Sequence, residues 1–358
     1  MALLRNGAYR IIDANLNRAR EGLRVVEEIA RFDLEDSPLA SHLKSLRHEI
    51  ATILKEVPGE ALLAARDSSC DIGKSSHYDK HQDGKELSEI LKASMVRTQE
   101  AMRVLEEFSR MIDFPAGKKF KDIRFRLYAI EKEITEKLNL SVRRQVVRNW
   151  KLYLILDKEL IGNKNPLKVA AAATMGGVSA VQLRCKDITD KNAFLLVSRL
   201  RQFAPLQKVA IIVNDRLDVA VMTEADGVHL GQDDLPIKET RKLLGKKRII
   251  GISTHNQKEA IEAEKEGADY VSVGPIFPTG TKKDAGSPVG VNKIAELKKA
   301  LRVPLIAIGG INETNIKEVV SAGADVVAVA AVIIKAKDIT EATKNLISRA
   351  GFPDDAKN

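Results

Sequence analysis

Asp215 in KVAIIVND and Asp234 in GQDD each follow a short β-branched run. Nearby in the same half of the chain come Gln182, Arg184 and Lys186 in QLRCK, Asn214 beside Asp215, and Ser253 in GISTH. The stretch GPIFPTGTKK adds Thr279, Thr281, Lys282 and Lys283. Two separated carboxylates with hydroxyls, an amide and cations around them suit a magnesium ion that keeps several waters and binds mainly through substrate phosphates. Arg184, Lys186 and Lys282 would neutralise a polyphosphate leaving group. Farther along, Gly309-Gly310 and Ala330-Ala331 are small residues whose N–H groups can approach a second anion closely. Singly, each signal has a plainer reading: Asn-Asp as a turn or helix cap, Gly-Gly as a tight turn, Lys-Lys as surface, and His229 and His255 as structural histidines. Their order along successive strands carries the inference.

The elements that must position these residues run from Trp150 onward. Short β-branched runs alternate with amphipathic segments, from KLYLILD and PLKVAAAATMG to DVVAVAAVI and ITEATKNLISRAG, giving eight strand-helix units. Such alternation implies parallel strands with right-handed crossovers, and eight units favour a closed (β/α)8 TIM barrel. Chemistry in that fold sits in the loops at the carboxyl ends of the strands, so all the residues named above should meet at one mouth. The Gly309-Gly310 turn and the backbone after strand eight fall where such barrels build a phosphate site.

The first half has a different grammar. From Ile11 to about Leu140, apolar residues fall at helical spacing, and REGLRVVEEIARF (20–32) recurs as QEAMRVLEEFSRM (99–111) at an offset of 79. The same offset pairs Arg47 with Arg126. An internally duplicated, all-α domain preceding the barrel follows. Glu21, Arg24, Glu28 and Arg31, and their counterparts Glu100, Arg103, Glu107 and Arg110, share one helical face, as a solvated salt-bridge ladder or as the wall of an anion pocket. Between the copies, Arg66, Asp67, Asp71, Gly73, His77 and His81 lie in a polar loop without a metal-ligand motif. The expected organisation is therefore a helical domain over 1–140, a linker over 141–151, the barrel over 152–351 and a flexible polar tail over 352–358.

Composition narrows the function classes. The chain has 358 residues, 44% hydrophobic and 30% charged, with a formal charge of +9 spread over both halves. Aromatics are 4% and do not interleave with basic residues, so the stacking platforms of nucleic-acid binders are missing. No stretch reaches the roughly 18 apolar residues of a membrane helix. Cys70 and Cys185 form neither a CxxC pair nor a disulfide framework, and a reducing cytoplasm is the default expectation.

Taken in order, QLRCK, ND, GQDD, GISTH, GPIFPTGTK, AIGGI and the alanine pair resemble thiamine-phosphate synthase over essentially all of 150–351. The resemblance implies a transferase that joins 4-amino-2-methyl-5-hydroxymethylpyrimidine diphosphate to a thiazole phosphate, with pyrophosphate leaving first to give a pyrimidine-methyl cation. It assigns Gln182, Arg184, Lys186, Asn214, Ser253 and Lys282 to the pyrimidine diphosphate, with Arg184, Lys186, Lys282 and Ser253 catalytic. Asp215 and Asp234 would bind Mg2+, and Thr279, Thr281, Gly310, Ala330 and Ala331 the thiazole phosphate. Ala331 stands where the family often has serine, so this phosphate loses a hydroxyl and relies on backbone N–H groups. The helical half resembles a domain that precedes the synthase in some bacterial fusions and has been linked to pyrimidine phosphate phosphorylation, although it lacks a GxxxxGK[ST] loop. Oligomerisation is its other reading. The alternatives for the barrel are a thiazole tautomerase, which has no diphosphate to ionise, and a non-catalytic thiamine-precursor binding protein.

Overall fold

The computed structural model describes residues 2–53, 62–64, 86–184, 186, 188–280 and 286–352. The chain divides into two compact units, Met1–Leu138 and Asn139–Asn358. The loop residues Arg66, Asp67, Asp71, Gly73, His77 and His81, both Cys70 and Cys185, and the tail beyond 352 lie outside the described residues.

The first unit is built from α1 (Ala2–Glu28), α2 (Ser37–Thr52), α3 (Leu87–Arg110) and the greater part of α4 (Phe114–Arg148), with α1 running into a π-helical turn over Ile29–Asp33. The Asp36 side chain accepts from Leu39 N at 3.0 Å and Pro38 lies in the first turn, which together start α2. The apolar stripes read from the sequence bury Leu23, Leu43, Leu46, Met102, Leu105 and Phe120 in one core. Duplication is visible in the polar contacts too. Buried Glu27 accepts from Arg47 Nε at 3.0 Å, and buried Glu106 accepts from Arg124 Nε at 3.1 Å. Arg124, rather than the expected Arg126, is thus the counterpart of Arg47; Arg126 pairs on the surface with Glu49 at 2.8 Å. The glutamate-to-arginine span is 20 residues in the first copy and 18 in the second, so a constant offset fails across the inter-helix connection. The expected ladder forms between Arg24 and Glu28, and between Arg103 and Glu107.

In the second unit, eight parallel strands close on themselves: β1 (Leu152–Asp157), β2 (Ala180–Arg184), β3 (Ala210–Asn214), β4 (Gly227–Leu230), β5 (Ile249–Thr254), β6 (Tyr270–Val273), β7 (Leu305–Ile308) and β8 (Val326–Val329). Helices follow the strands, from Pro166–Met175 after β1 to Ile339–Ala350 after β8. Strand periodicity of two sorts the side chains. Leu152, Leu154, Val181, Leu183, Val228 and Val271 face outward into the core shared with the helices. Tyr153, Ile155, Ala180, Ile212, Tyr270 and Ile306 fill the barrel interior. The same alternation points Gln182, Asn214, His229 and Ser253 inward toward the carboxyl ends, where the site residues were expected.

The stretch expected as a linker is helical to Arg148, and residues from Asn139 onward are grouped with the barrel. Val147 and Trp150 join the interior core. Arg143 Nε donates to Asp269 at 2.7 Å, Arg144 to Ala268 O at 3.2 Å and Arg148 to Arg302 O at 2.6 Å. A run of arginines that reads as solvated linker in sequence is engaged by a buried carboxylate and by carbonyls at the amino-terminal end of the barrel.

Candidate active site

Among the expected site residues, Gln182, Arg184, Lys186, Asn214, Asp215, Asp234, Ser253, Thr279, Gly310, Ala330 and Ala331 all line one cavity of about 870 Å3. It opens at the carboxyl ends of the strands: Arg184 and Asn214 end strands, Asp215, Asp234, Thr279, Gly310, Ala330 and Ala331 follow them, and Gln182 and Ser253 lie inside β2 and β5. Thr281 and Lys282 lie outside the described residues.

One wall carries the charge. Asp215 follows β3 with φ at +60°, a left-handed conformation that aspartate tolerates better than most residues and that recurs at functional turns. Its carboxyl faces that of Asp234, whose Oδ2 accepts the Gly231 N–H at 2.6 Å. Burial pushes the Asp215 carboxyl up to about 6, reinforced by the hydrogen bond and charge of Asp234 and opposed by the nearby Lys186 and Arg184. Lys186 Nζ stands 3.9 Å from Asp215 Oδ2. Two facing carboxylates offer hard oxygen donors to a cation. Among the described residues no cluster of three or more His, Cys, Asp or Glu could hold a metal ion. A two-carboxylate site fits Mg2+, which completes its shell with water and substrate phosphates, better than it fits a metal that needs a full protein cage.

Arg184 is held in place by a residue the sequence reading passed over. Asp157 ends β1, is buried, and accepts from Arg184 Nη1 at 2.5 Å while also capping the short helix Lys158–Ile161 through Glu159 N at 2.9 Å. The register that pairs Asp157 with Arg184 makes this contact unavoidable. This buried carboxylate fixes the guanidinium through one nitrogen and leaves its remaining donors for an anion in the cavity that both residues line.

The opposite wall is made of backbone. Gly309 and Gly310 both adopt positive φ, and a Cβ on Gly310 would lie 2.6 Å from Pro278 O, so no other residue type fits there. The Gly310 carbonyl accepts from Asn315 Nδ2 at 3.0 Å, and Asn315 Oδ1 accepts the Asn312 N–H at 2.8 Å. Asn312 and Asn315 were also missed; the NETN stretch gives no sign by itself that it braces the turn two residues before. Ala330 and Ala331 open the helix Ala331–Ile334, whose leading N–H groups have no intrahelical acceptor and are aimed toward the same end of the barrel. Ala331 contributes no hydroxyl.

Below the cavity lies a chain of hydrogen bonds. Gln182 Nε2 donates to Tyr153 OH at 2.7 Å, Tyr153 OH is 3.1 Å from Tyr270 OH, Tyr270 OH is 2.9 Å from His229 Nδ1, and His229 Nε2 is 2.9 Å from Ser253 Oγ. His229 is engaged here, and His255 bonds to Glu259 through both its N–H and its ring.

Comparison with known proteins agrees with this geometry. The family described as thiamine monophosphate synthase matches residues 152–333, and the ThiD2 family matches residues 10–133. A thiamine-phosphate synthase of Synechococcus sp. (strain CC9311) is 40% identical over 339 residues, covering 94% of this chain and 95% of that protein. One from Nostoc sp. (strain PCC 7120 / SAG 25.82 / UTEX 2576) is 39% identical over 341 residues, covering 95% and 93%. The chain belongs to the thiamine-phosphate synthase family. A solved structure of the family, the thiamine phosphate pyrophosphorylase from Pyrococcus furiosus, shares 36% identity with a TM-score of 0.53, covering 57% of this chain and 97% of that one. The relatives at about 40% identity match both units, so family membership extends through the helical part and is not confined to the barrel. Members of this family are transferases. Among the described residues no helix is long and apolar enough to cross a membrane.

Proposed function

We propose that the chain joins 4-amino-2-methyl-5-hydroxymethylpyrimidine diphosphate to a thiazole phosphate, carboxylated or not, and releases thiamine phosphate and pyrophosphate, with carbon dioxide as a third product from the carboxylated substrate. The observation that carries this reading is the meeting, in one cavity, of the Asp215–Asp234 pair flanked by Lys186 and Arg184 with the backbone cradle of Gly310, Ala330 and Ala331. A reaction that expels one anion and retains another needs both.

Asp215 and Asp234 would hold Mg2+, which when bound supplies positive charge to the diphosphate. Arg184, braced by Asp157, and Lys186 bind the same diphosphate, and the family resemblance adds Lys282 to them. The carbon–oxygen bond to the diphosphate breaks first, and the electron pair leaves with pyrophosphate. Arg184 and Lys186 act on the charge that grows on the departing oxygen, so their contribution is larger in the transition state than in the bound substrate. Gln182, Asn214 and Ser253 orient the pyrimidine. Thr279, Thr281, Gly310, Ala330 and Ala331 hold the thiazole phosphate so that the ring nitrogen's lone pair forms the new carbon–nitrogen bond. Such a step asks for position and charge stabilisation more than for covalent help. The substrates are small and phosphorylated, and a reducing cytoplasm suits a chain with two cysteines.

A thiazole tautomerase would have no use for a facing carboxylate pair with cations beside it. Incubating the full chain with both phosphorylated precursors and Mg2+, then resolving products by mass spectrometry, should give thiamine phosphate and pyrophosphate in equal amounts. Binding of both precursors without product would instead identify a precursor-binding protein, and isomerised thiazole phosphate a tautomerase.

A further inference from the structure

The buried side chains beneath the cavity form a chain in which one direction spends every hydroxyl and imidazole proton on a partner. Gln182 spends an amide N–H on the Tyr153 oxygen, so the Tyr153 proton is left for Tyr270. Tyr270, having accepted, turns its own proton to His229 Nδ1. Nδ1 is then an acceptor, which places the proton of the neutral imidazole on Nε2, and that N–H donates to Ser253 Oγ. Two groups emerge into the cavity at the ends of the chain: the Gln182 carbonyl oxygen as an acceptor and the Ser253 hydroxyl as a donor, both residues lining it. The opposite direction from Ser253 to Tyr153 would leave the Tyr153 proton with no acceptor in the chain.

The surrounding structure is shaped for this chain. Gly251 of β5 pairs in register with both His229 and Tyr270, and a Cβ on Gly251 would stand 1.9 Å from the tyrosine ring, so this glycine vacates the space the aromatic ring occupies. The His229 and Tyr270 rings stack at 15° with centroids 5.5 Å apart. Burial raises both tyrosine hydroxyls above their ordinary range, which keeps them protonated as donors.

We propose that the Tyr153–Tyr270–His229 chain fixes the hydrogen-bond polarity that Gln182 and Ser253 present to substrate, so that Tyr153 and Tyr270 are positioning residues selecting an aminopyrimidine. The proposal rests on the function given above. A 4-aminopyrimidine edge carries an N–H donor on its exocyclic amine and an acceptor at the adjacent ring nitrogen, the complement of an acceptor at Gln182 and a donor at Ser253. A 4-oxo analogue carries the opposite pattern, with an acceptor on the exocyclic oxygen and a donor on the ring nitrogen. A site built to hydrogen-bond one pattern rejects the other, because its own polar groups would be left unpaired.

The test uses the full chain, its Tyr270→Phe and Tyr153→Phe variants, which keep the rings, and 15N-histidine NMR with the His229 signal assigned by its loss in His229→Gln. Wild type should show the Nε2–H tautomer. Tyr270→Phe should lose that single tautomer and Tyr153→Phe should retain it, since the Tyr270 bond to Nδ1 survives. In kinetics, each phenylalanine variant should raise the KM for the pyrimidine diphosphate and lower the preference over its 4-oxo analogue, each by about tenfold, with the KM for thiazole phosphate unchanged. A filler role would move neither the tautomer nor one KM selectively. A wild-type His229 protonated on Nδ1, unchanged pyrimidine KM values, or equal rises for both substrates would overturn the proposal. An inactive wild type refutes the function and this proposal together, whereas an active wild type with silent substitutions refutes this proposal alone.

Discussion

Asp269 and Asp215 are both carboxylates flanking strands of the same barrel, one just before β6 and one just after β3, and their surroundings differ. At the amino-terminal end, Asp269 is fully buried and accepts from Arg143 at 2.7 Å, Arg241 at 2.5 Å and Ile250 N at 2.8 Å. At the carboxyl end, Asp215 faces a second carboxylate, and among the described residues Lys186 pairs with it at 3.9 Å. The first end satisfies its charge from within the chain. Among the described residues the second end sets two carboxylates beside one paired lysine, an arrangement that magnesium and an anionic substrate would complete. On the proposed function the same strands give stability at one end and chemistry at the other, as barrels of this kind separate them.

The largest expected effect comes from removing charge at the carboxyl end. Asp215→Asn or Asp234→Asn should lower turnover by about a hundredfold or more at limiting Mg2+, without lowering the thermal unfolding midpoint. Near wild-type rates in either variant would mean that the carboxylates do not hold the metal. Removing charge at the amino-terminal end should do the reverse. Arg143→Ala leaves Asp269 buried with one arginine fewer, and should cost about 3 kcal/mol of barrel stability in denaturant titrations while kcat below the unfolding transition stays the same. A variant as stable as wild type would show that Arg241 and the backbone suffice for Asp269.

The pH dependence sharpens the contrast. Asp215 titrates near 6 in the folded chain against an ordinary 3.8, so the folded state holds this proton more tightly. The stability this group contributes is full below 3.8 and is lost as pH rises through 6, and Asp215→Asn should abolish that dependence. Protons and Mg2+ compete for the same oxygens, so Mg2+ affinity measured by calorimetry should fall by up to about tenfold per pH unit below 6. A flat profile from pH 5 to 7 would contradict the assignment. The smallest effect is at the backbone cradle: Asn315→Ala frees the Gly310 turn and should raise the thiazole phosphate KM by about fivefold, leaving the pyrimidine diphosphate KM unchanged. Equal changes in both would assign Asn315 to general stability.

Much of the barrel could be read from the sequence, since eight β-branched runs alternate with amphipathic segments and the site residues stand where those runs end. Asp215, Asp234, Gln182 and Ser253 were accessible in this way because strand ends are marked by local composition. Asp157 and the two tyrosines were not. Asp157 ends KLYLILD and reads as a helix cap, and its second role toward Arg184 depends on the β1–β2 register. Tyr153 and Tyr270 look like ordinary strand aromatics until closure of the barrel brings residues 117 positions apart to 3.1 Å. Arg143 and Arg148 read as linker because nothing local shows that a buried aspartate 126 positions away, or a carbonyl at Arg302, will engage them. In the helical unit the repeat was evident, but the arginine equivalent to Arg47 was misplaced by two residues, since periodicity within helices does not measure the connection between them.

The contrast between the two ends is tested most directly by thermal unfolding of the full chain with and without Mg2+ and pyrophosphate together. Ligand that binds only the folded state raises the midpoint in proportion to its affinity. The wild type should be stabilised by the pair well beyond either component alone, the Arg143→Ala variant should start lower but shift by the same amount, and Asp215→Asn and Asp234→Asn should not shift. An aspartate variant that shifts as far as the wild type would show that the carboxyl end needs no metal held by these two residues.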